Sequence, residues 1–502
     1  MTPPPPAKRL DGLLPWLCAT GLLALGLLLL AALGFDFSTK LCFWRDHPFD
    51  RANLRFAVES FSLTTRLWGY DPMHLFGWVP NVFYNPLASL SAGLFGAPFA
   101  FSSGAYVVWL LGLLWLTSLA GWAFLPRAGG KEAWLGGAVV AAGLCWLVYP
   151  TDAGIIDGNP VQVLYTGQWA QRLGIALGLL AIERFWRALQ AWDKEQPRAS
   201  AQRLLAVAAL WGASLFSHFM SGYATALGLG LLALLHLPAR RLTGKTWSPA
   251  PLLLLMAALL CMGLLFADFF FAFFSLQADF HPLPLLPWAL PDAAFATVQD
   301  VLIPALPLLL LPGLAMLGRG LRDRVALGRI SLPLFVLVAA VLAKPENLIF
   351  WSVAVSAAGL AAARLEKRWG IVHWLPGLAF VLWAIACGPS SLQPFGLNLG
   401  KLLPFSASIG FAKLAAFARI ALMAWLGLLA AESLCELKPL GLKLRATAWS
   451  LLLAGLALPV LLSLGADQGA QTFFAWMAGT DLQATEALQA RFRPEFLNRI
   501  DE

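Results

Sequence analysis

The polar side chains able to do chemistry in this chain are few, and they gather in a handful of places. The stretch FDFSTKLCFWRDHPFDRANLRFAVES (35–60) carries Asp36, Asp46, Asp50 and Glu59, with Asp71 shortly after. From Asp50 to Trp68 the spacing is helical and amphipathic, with Leu54, Phe56, Ala57, Phe61 and Leu67 near one face and Arg51, Arg55 and Arg66 on others. A helix lying along a membrane surface with an acid in its first turn can aim a carboxylate at a lipid-borne substrate. The plainer reading pairs these acids with the neighbouring arginines in water. His218, in LFSHFMSG, can bind a headgroup phosphate or a metal, or simply bond a carbonyl where two helices meet. Lys413 and Arg419 stand in an apolar run, where cations are costly and generally partnered, or snorkel to the headgroups. Asp268 is an acid within the aromatic run LLFADFFFAF, a functional candidate by the same reasoning.

The elements that must hold these groups are membrane helices. Hydrophobic residues make up 59% of 502 positions and charged residues 12%, against roughly 25% charged in a soluble domain, and the mean hydropathy is +0.72. Runs long enough to cross a bilayer core of about 30 Å predict thirteen spans, near 13–35, 104–125, 135–150, 171–187, 203–217, 221–237, 249–274, 301–317, 330–344, 348–364, 371–387, 413–432 and 447–465. The short apolar stretch 86–100 is read as interfacial. With the N-terminus inside, the short segments holding Lys8 and Arg9, Arg127 and Lys131, Arg184 to Arg203, Arg240 to Lys245, Arg319 to Arg329, Arg364 to Arg368, and Lys438 to Arg445 all fall on the inner side. That is the positive-inside pattern. The first run is longer than a signal core, so it is read as an uncleaved anchor.

The expected organisation is a transmembrane domain over 1–465, with 36–103 as an outer loop carrying interfacial helices, and an outer tail over 466–502. The outer loops 36–84, 151–170, 276–300 and 389–408 are long and rich in Trp, Pro, Gly and Asp, so the working face is expected to look outward. The net charge of +8 comes without a basic stripe interleaved with aromatics, so no nucleic-acid partner is expected. The six cysteines are scattered without metal-site or disulfide spacing.

The segment from Asp50 through Gly69, Tyr70 and Gly77 to Tyr84-Asn85-Pro86-Leu87 resembles the first outer loop of GT-C glycosyltransferases, which use polyprenyl-phosphate sugars. It is most similar to the branch named for its relation to pyruvoyl-tetrahydropterin synthase, which has no pterin chemistry. Ser217-His218 before a tight return, and Leu403-Pro404-Phe405 leading to Arg419, extend the likeness. The span count and outward site resemble the lipid A aminoarabinose transferase type. This resemblance implies an all-α, polytopic GT-C-like fold and sugar transfer at the outer face of a bacterial inner membrane. Its partners would be the bilayer, a polyprenyl-phosphate-linked sugar, and an acceptor lipid, glycan or protein.

Such transfer builds positive charge on the sugar as a phosphate leaves. A carboxylate then deprotonates the acceptor or helps hold a divalent metal such as Mg or Mn. No Asp-x-Asp occurs in the first loop, and Asp46 with Asp50, four apart, is the nearest equivalent. These two are the expected catalytic acids and, with Asp152 and Asp157 of TDAGIIDGNP, the candidate metal ligands. Asp152 and Asp157 are read more simply as turn formers beside Gly154 and Gly158. Arg419, Lys413 and His218 are the expected phosphate-binding groups. The alternatives are a transporter or flippase of a lipid-linked intermediate, or a non-catalytic partner with the GT-C fold. The final stretch 491–502 resembles a segment of the second ATPase module of Clp-type chaperones. No GxxxxGK[ST] loop accompanies it, so no ATPase function is attached.

Overall fold

The computed structural model describes residues 20, 21, 24, 47–64, 86–120, 169–268, 270–271, 291–302, 306–317, 324–388, 411–437, 447 and 449–451. The expected span 135–150, nearly all of 13–35 and 447–465, and the tail 466–502 lie outside them. Regular structure among the described residues is helical, without strands.

The amphipathic stretch 47–64 forms α1 (His47–Thr64), and the apolar stretches after it form α2 (Pro86–Gly96), α3 (Ser103–Ala120), α4 (Trp169–Asp193), α5 (Pro197–Ser217), α6 (Phe219–Leu242) and α7 (Ala250–Leu265). After a break come α8 (Pro291–Leu302), α9 (Leu306–Leu309), α10 (Leu311–Leu317), α11 (Arg324–Leu342), α12 (Leu348–Glu366), α13 (Ile371–Ala386) and α14 (Leu414–Leu437). Within the run expected as one span over 301–317, a turn at Leu310 separates α9 from α10. Pro312 supplies the reason, since it removes an amide donor and its ring crowds the preceding turn. Among the described residues, four segments are long and apolar enough to cross a bilayer: 197–217, 219–242, 345–366 and 414–434. The fold is therefore compatible with a multi-pass, all-α membrane protein.

Two helices form the centre. Every side chain of α14 from Leu414 to Ala431 is buried, and so is α13 from Val372 to Ala386 apart from half-buried Val381. The indole N–H of Trp425 donates to the carbonyl of Val372 at 2.9 Å and ties the pair together. On one side α4, α5 and α6 pack together, while α11 and α12 cover another and the broken segment α8–α10 lies along α14. The outward faces carry a different signature. On α7, Leu252, Leu253, Met256, Leu259, Leu260, Leu264 and Leu265 are all exposed. Leu334, Val338, Val341, Phe350 and Val353 are likewise exposed on α11 and α12. Clusters of exposed apolar side chains of this kind are suited to lipid.

Helix α1 is amphipathic as expected, but its inner face is more polar. Leu54 and Ala57 are buried beside Asn53 and Ser60, while Phe61 is 37% exposed. Asn53 turns inward because its amide donates to Ser89 of α2 at 3.0 Å. Asn53 meets Ser89, and Leu54 and Val58 meet Gly93. The contacts thus advance together along both helices, so α1 and α2 run in the same direction. Helix α2 in turn packs on α3, α4 and α5, attaching this unit to the bundle.

Candidate functional site

The break between α5 and α6 is one residue long. His218 is extended (φ −162°, ψ 116°), its N–H donating to Ser214 and its carbonyl accepting from Ser221 and Gly222. The imidazole Nδ1 lies 3.1 Å from Ser221 Oγ, which donates to the carbonyl of Gln171 at 3.2 Å. The Gln171 side-chain amide donates in turn to the carbonyl of Lys413 at 3.2 Å. A polar chain thus links the α5–α6 return, the start of α4 and the entry to α14. Beside it, Arg172 donates to Thr117 of α3 at 3.0 Å.

Close approach of the helices makes this end possible. A methyl added at Gly174 would stand 2.8 Å from Ser221 Cβ and 3.0 Å from His218 Cβ, and one at Gly178 would strike Thr225. The pair Gly174 and Gly178 is a small-xxx-small contact that lets backbones come together. The freed space lets Ser214 donate to the carbonyl of Gly174 at 2.7 Å.

Of the expected phosphate-binding groups, His218 (5% exposed) and Arg419 (2% exposed) are buried, and Lys413 is half-buried. Arg419 therefore does not face lipid. It sits six residues beyond Lys413, about 9 Å deeper along the helix and about 120° around it. Asp46, Asp152 and Asp157 lie outside the described residues. Asp50 is in the first turn of α1, but its side chain is outside the described set. Among the described residues no three His, Cys, Asp or Glu side chains gather as metal ligands. Asp268 is exposed, just beyond the end of α7.

Gln171, Arg172, Ser214, Ser221 and Thr225 were not singled out in the sequence. The available signal was a Gln-Arg pair opening an apolar run, which reads as a span boundary until its burial is known.

The opposite end of the bundle holds a second concentration of charge. Asp193, closing α4, pairs with Arg240 and with Lys245 (2.9 Å), and lies 3.5 Å from the His236 ring. Glu366, its side chain 2% exposed, meets Arg368 at 2.6 Å, His373 at 3.3 Å and Arg329 at 3.7 Å. Arg368 bridges on to Glu432 of α14 at 3.0 Å. Burial works against the charged form of Arg368, yet the attraction of Glu432 and Glu366 outweighs it and raises the pKa. Burial, and then repulsion from Arg240, lowers that of Lys245. The ends of α4, α6, α12 and α14 and the starts of α5, α11 and α13 meet here. These are the segments that the charge pattern assigned to a common side, opposite His218 and Lys413.

Compared with family models, curated proteins and solved structures, the chain matches none.

Proposed function

We propose that the chain is a GT-C-like glycosyltransferase. It moves a sugar from a polyprenyl-phosphate donor to an acceptor at the outer face of a bacterial inner membrane, through about thirteen spans. The observation that carries this reading is the gathering of cationic and imidazole groups at one end of the bundle. The Lys413 backbone, Arg172 and His218 are bonded there to neighbouring helices, with Arg419 about 1.7 turns further along a buried helix. Cations in an apolar bundle are costly, and a departing phosphate is a ligand that would use them. Asp50 stands on the unit α1–α2 attached to the same bundle, in keeping with an acid that serves the acceptor. A polyprenyl-phosphate sugar co-purifying with the full chain, detected by lipid mass spectrometry, supports the proposal. Its absence, together with no transfer from supplied donor, would sink it.

The orientation has its own test. Ser62, exposed on α1, and Gln196, exposed between α4 and α5, are expected on opposite sides of the membrane. A cysteine at Ser62 should react with an impermeant maleimide in intact spheroplasts, and one at Gln196 only after the membrane is opened. The reverse pattern overturns the topology.

One feature favours transport as a second reading: the interruption at Leu310 between α9 and α10, which pack along α14. Broken helices in a bundle core are a transporter signature. Translocation of a lipid-linked sugar in proteoliposomes, without transfer to an acceptor, would select it.

A further inference from the structure

Between the ends of α4, α6 and α12 lies a cavity of about 220 Å³. Five cations line it, Lys194, Arg240, Lys245, Lys367 and Arg368, against one carboxylate, Asp193. Trp186 and Trp369, ring centroids 6.4 Å apart, form part of its wall. His236 also faces it. That residue is 2% exposed, and its ring nitrogens have no hydrogen-bond partner among the described residues.

The charges do not balance internally. Arg368 is taken up by Glu366 and Glu432, leaving four cations for Asp193 and the ends of three helices. A helix C-terminus carries about half a negative charge, felt within its last turn. Asp193 and the three ends together therefore offset about two and a half of the four charges, and an excess of about one and a half remains. A phosphomonoester carries about −1.5 to −2 near neutral pH. Lys194 and Lys367 have no carboxylate partner among the described residues, and both are exposed at the mouth of the cavity. Lys367 is the C-cap of α12, left-handed at φ 51°, with its N–H donating to the carbonyls of Ala363 and Arg364, a common way for a helix to end. Burial first, and repulsion from Arg240 after it, lower the pKa of Lys245.

We infer that this cavity binds a phosphate group, held by the Lys194 and Lys367 ammonium groups and the Arg240 guanidinium, with His236 as a further donor. Ammonium and guanidinium groups form short, charge-assisted bonds to phosphate oxygens. The phosphate can belong to a lipid headgroup, since basic pockets between membrane helices take such groups, or to a soluble anion. The inference is independent of the sugar-transfer proposal, because the cavity lies at the other end of the bundle from His218 and Lys413.

The test uses the full chain in detergent, delipidated, with native mass spectrometry as readout. The probes are phosphatidic acid, phosphatidylcholine and inorganic phosphate. Retention of phosphatidic acid over phosphatidylcholine assigns a lipid headgroup, and retention of inorganic phosphate without lipid preference assigns a soluble one. In either case the variant Lys194→Gln with Lys367→Gln should bind about tenfold more weakly, since two charge-assisted bonds are lost. The corresponding Arg replacements should restore binding. Lys344→Gln, an exposed lysine outside the cavity, should leave it unchanged. The inference fails if the parent chain retains neither phosphatidic acid nor inorganic phosphate. It fails equally if the double Gln variant binds like the parent, or if Lys344→Gln loses as much.

Discussion

Replacing Arg419 by glutamine is expected to reduce sugar transfer roughly a hundred- to a thousand-fold, the effect of removing one preorganised donor from a developing anion. Arg419 is 2% exposed on a helix whose neighbouring side chains are all buried, so water has little access to take over its role. Lysine at the same position keeps the charge and loses the fork. Arg419→Lys should therefore retain part of the activity, a graded response that a merely structural cation would not produce. Asp50→Asn should abolish transfer without loss of folded protein, since Asp50 opens a surface helix and is the candidate acid. Transfer is measured per unit of folded chain, with thermal unfolding in detergent run beside it. Wild-type transfer by Arg419→Gln would remove the phosphate role, and full activity in Asp50→Asn would remove the acid.

Glu366→Gln is expected to lower stability by about 3 kcal/mol, because breaking a buried ionic cluster leaves the other charges uncompensated. The carboxylate holds Arg368, His373 and Arg329 at the junction of α11, α12 and α13, and the substitution removes its charge from all three contacts at once, while Arg368 keeps Glu432. Glu432→Gln should cost no more than about 1 kcal/mol. That pair joins a side chain 24% exposed to one 42% exposed, where solvent screens the interaction. Denaturant unfolding of the two variants separates the cases. Equal losses would mean that Glu366 acts as a surface residue and that the cluster does not organise the junction.

How much of the site was legible in the sequence can be judged from particular residues. His218, Lys413 and Arg419 stood out because a polar group in an apolar run is expensive wherever it lies. Arg419 was open to two readings, partnered inside or snorkelling to the headgroups, and it is buried. Gln171 and Arg172 did not stand out, since polar residues at the edge of a run ordinarily lie in the headgroup region. Only the packing of α4 against α6 and α14 shows them inside. The cluster at Asp193 was hidden for another reason. Asp193, Arg240, Lys245 and Lys367 come from three separate connections, each of which alone reads as a solvated positive-inside turn.

What the sequence by itself determined is the solvent, the helices and their relative parity. Composition leaves too few polar groups to cover a soluble surface. Apolar length and proline position set where most helices begin and end. Basic clusters divide the connections between two sides. Each of these is a local property of the chain, readable within some twenty residues. The tertiary structure decided which helices are central, dividing the apolar segments into the buried α13 and α14, and α7, α11 and α12, which expose apolar faces. It also decided which distant polar groups become neighbours. Hydropathy cannot make that distinction in a membrane protein, because lipid and protein interior are equally apolar. The difference lies in backbone approach at Gly174 and Gly178 and in buried bonds such as Ser214 to Gly174, which exist only once the helices have met.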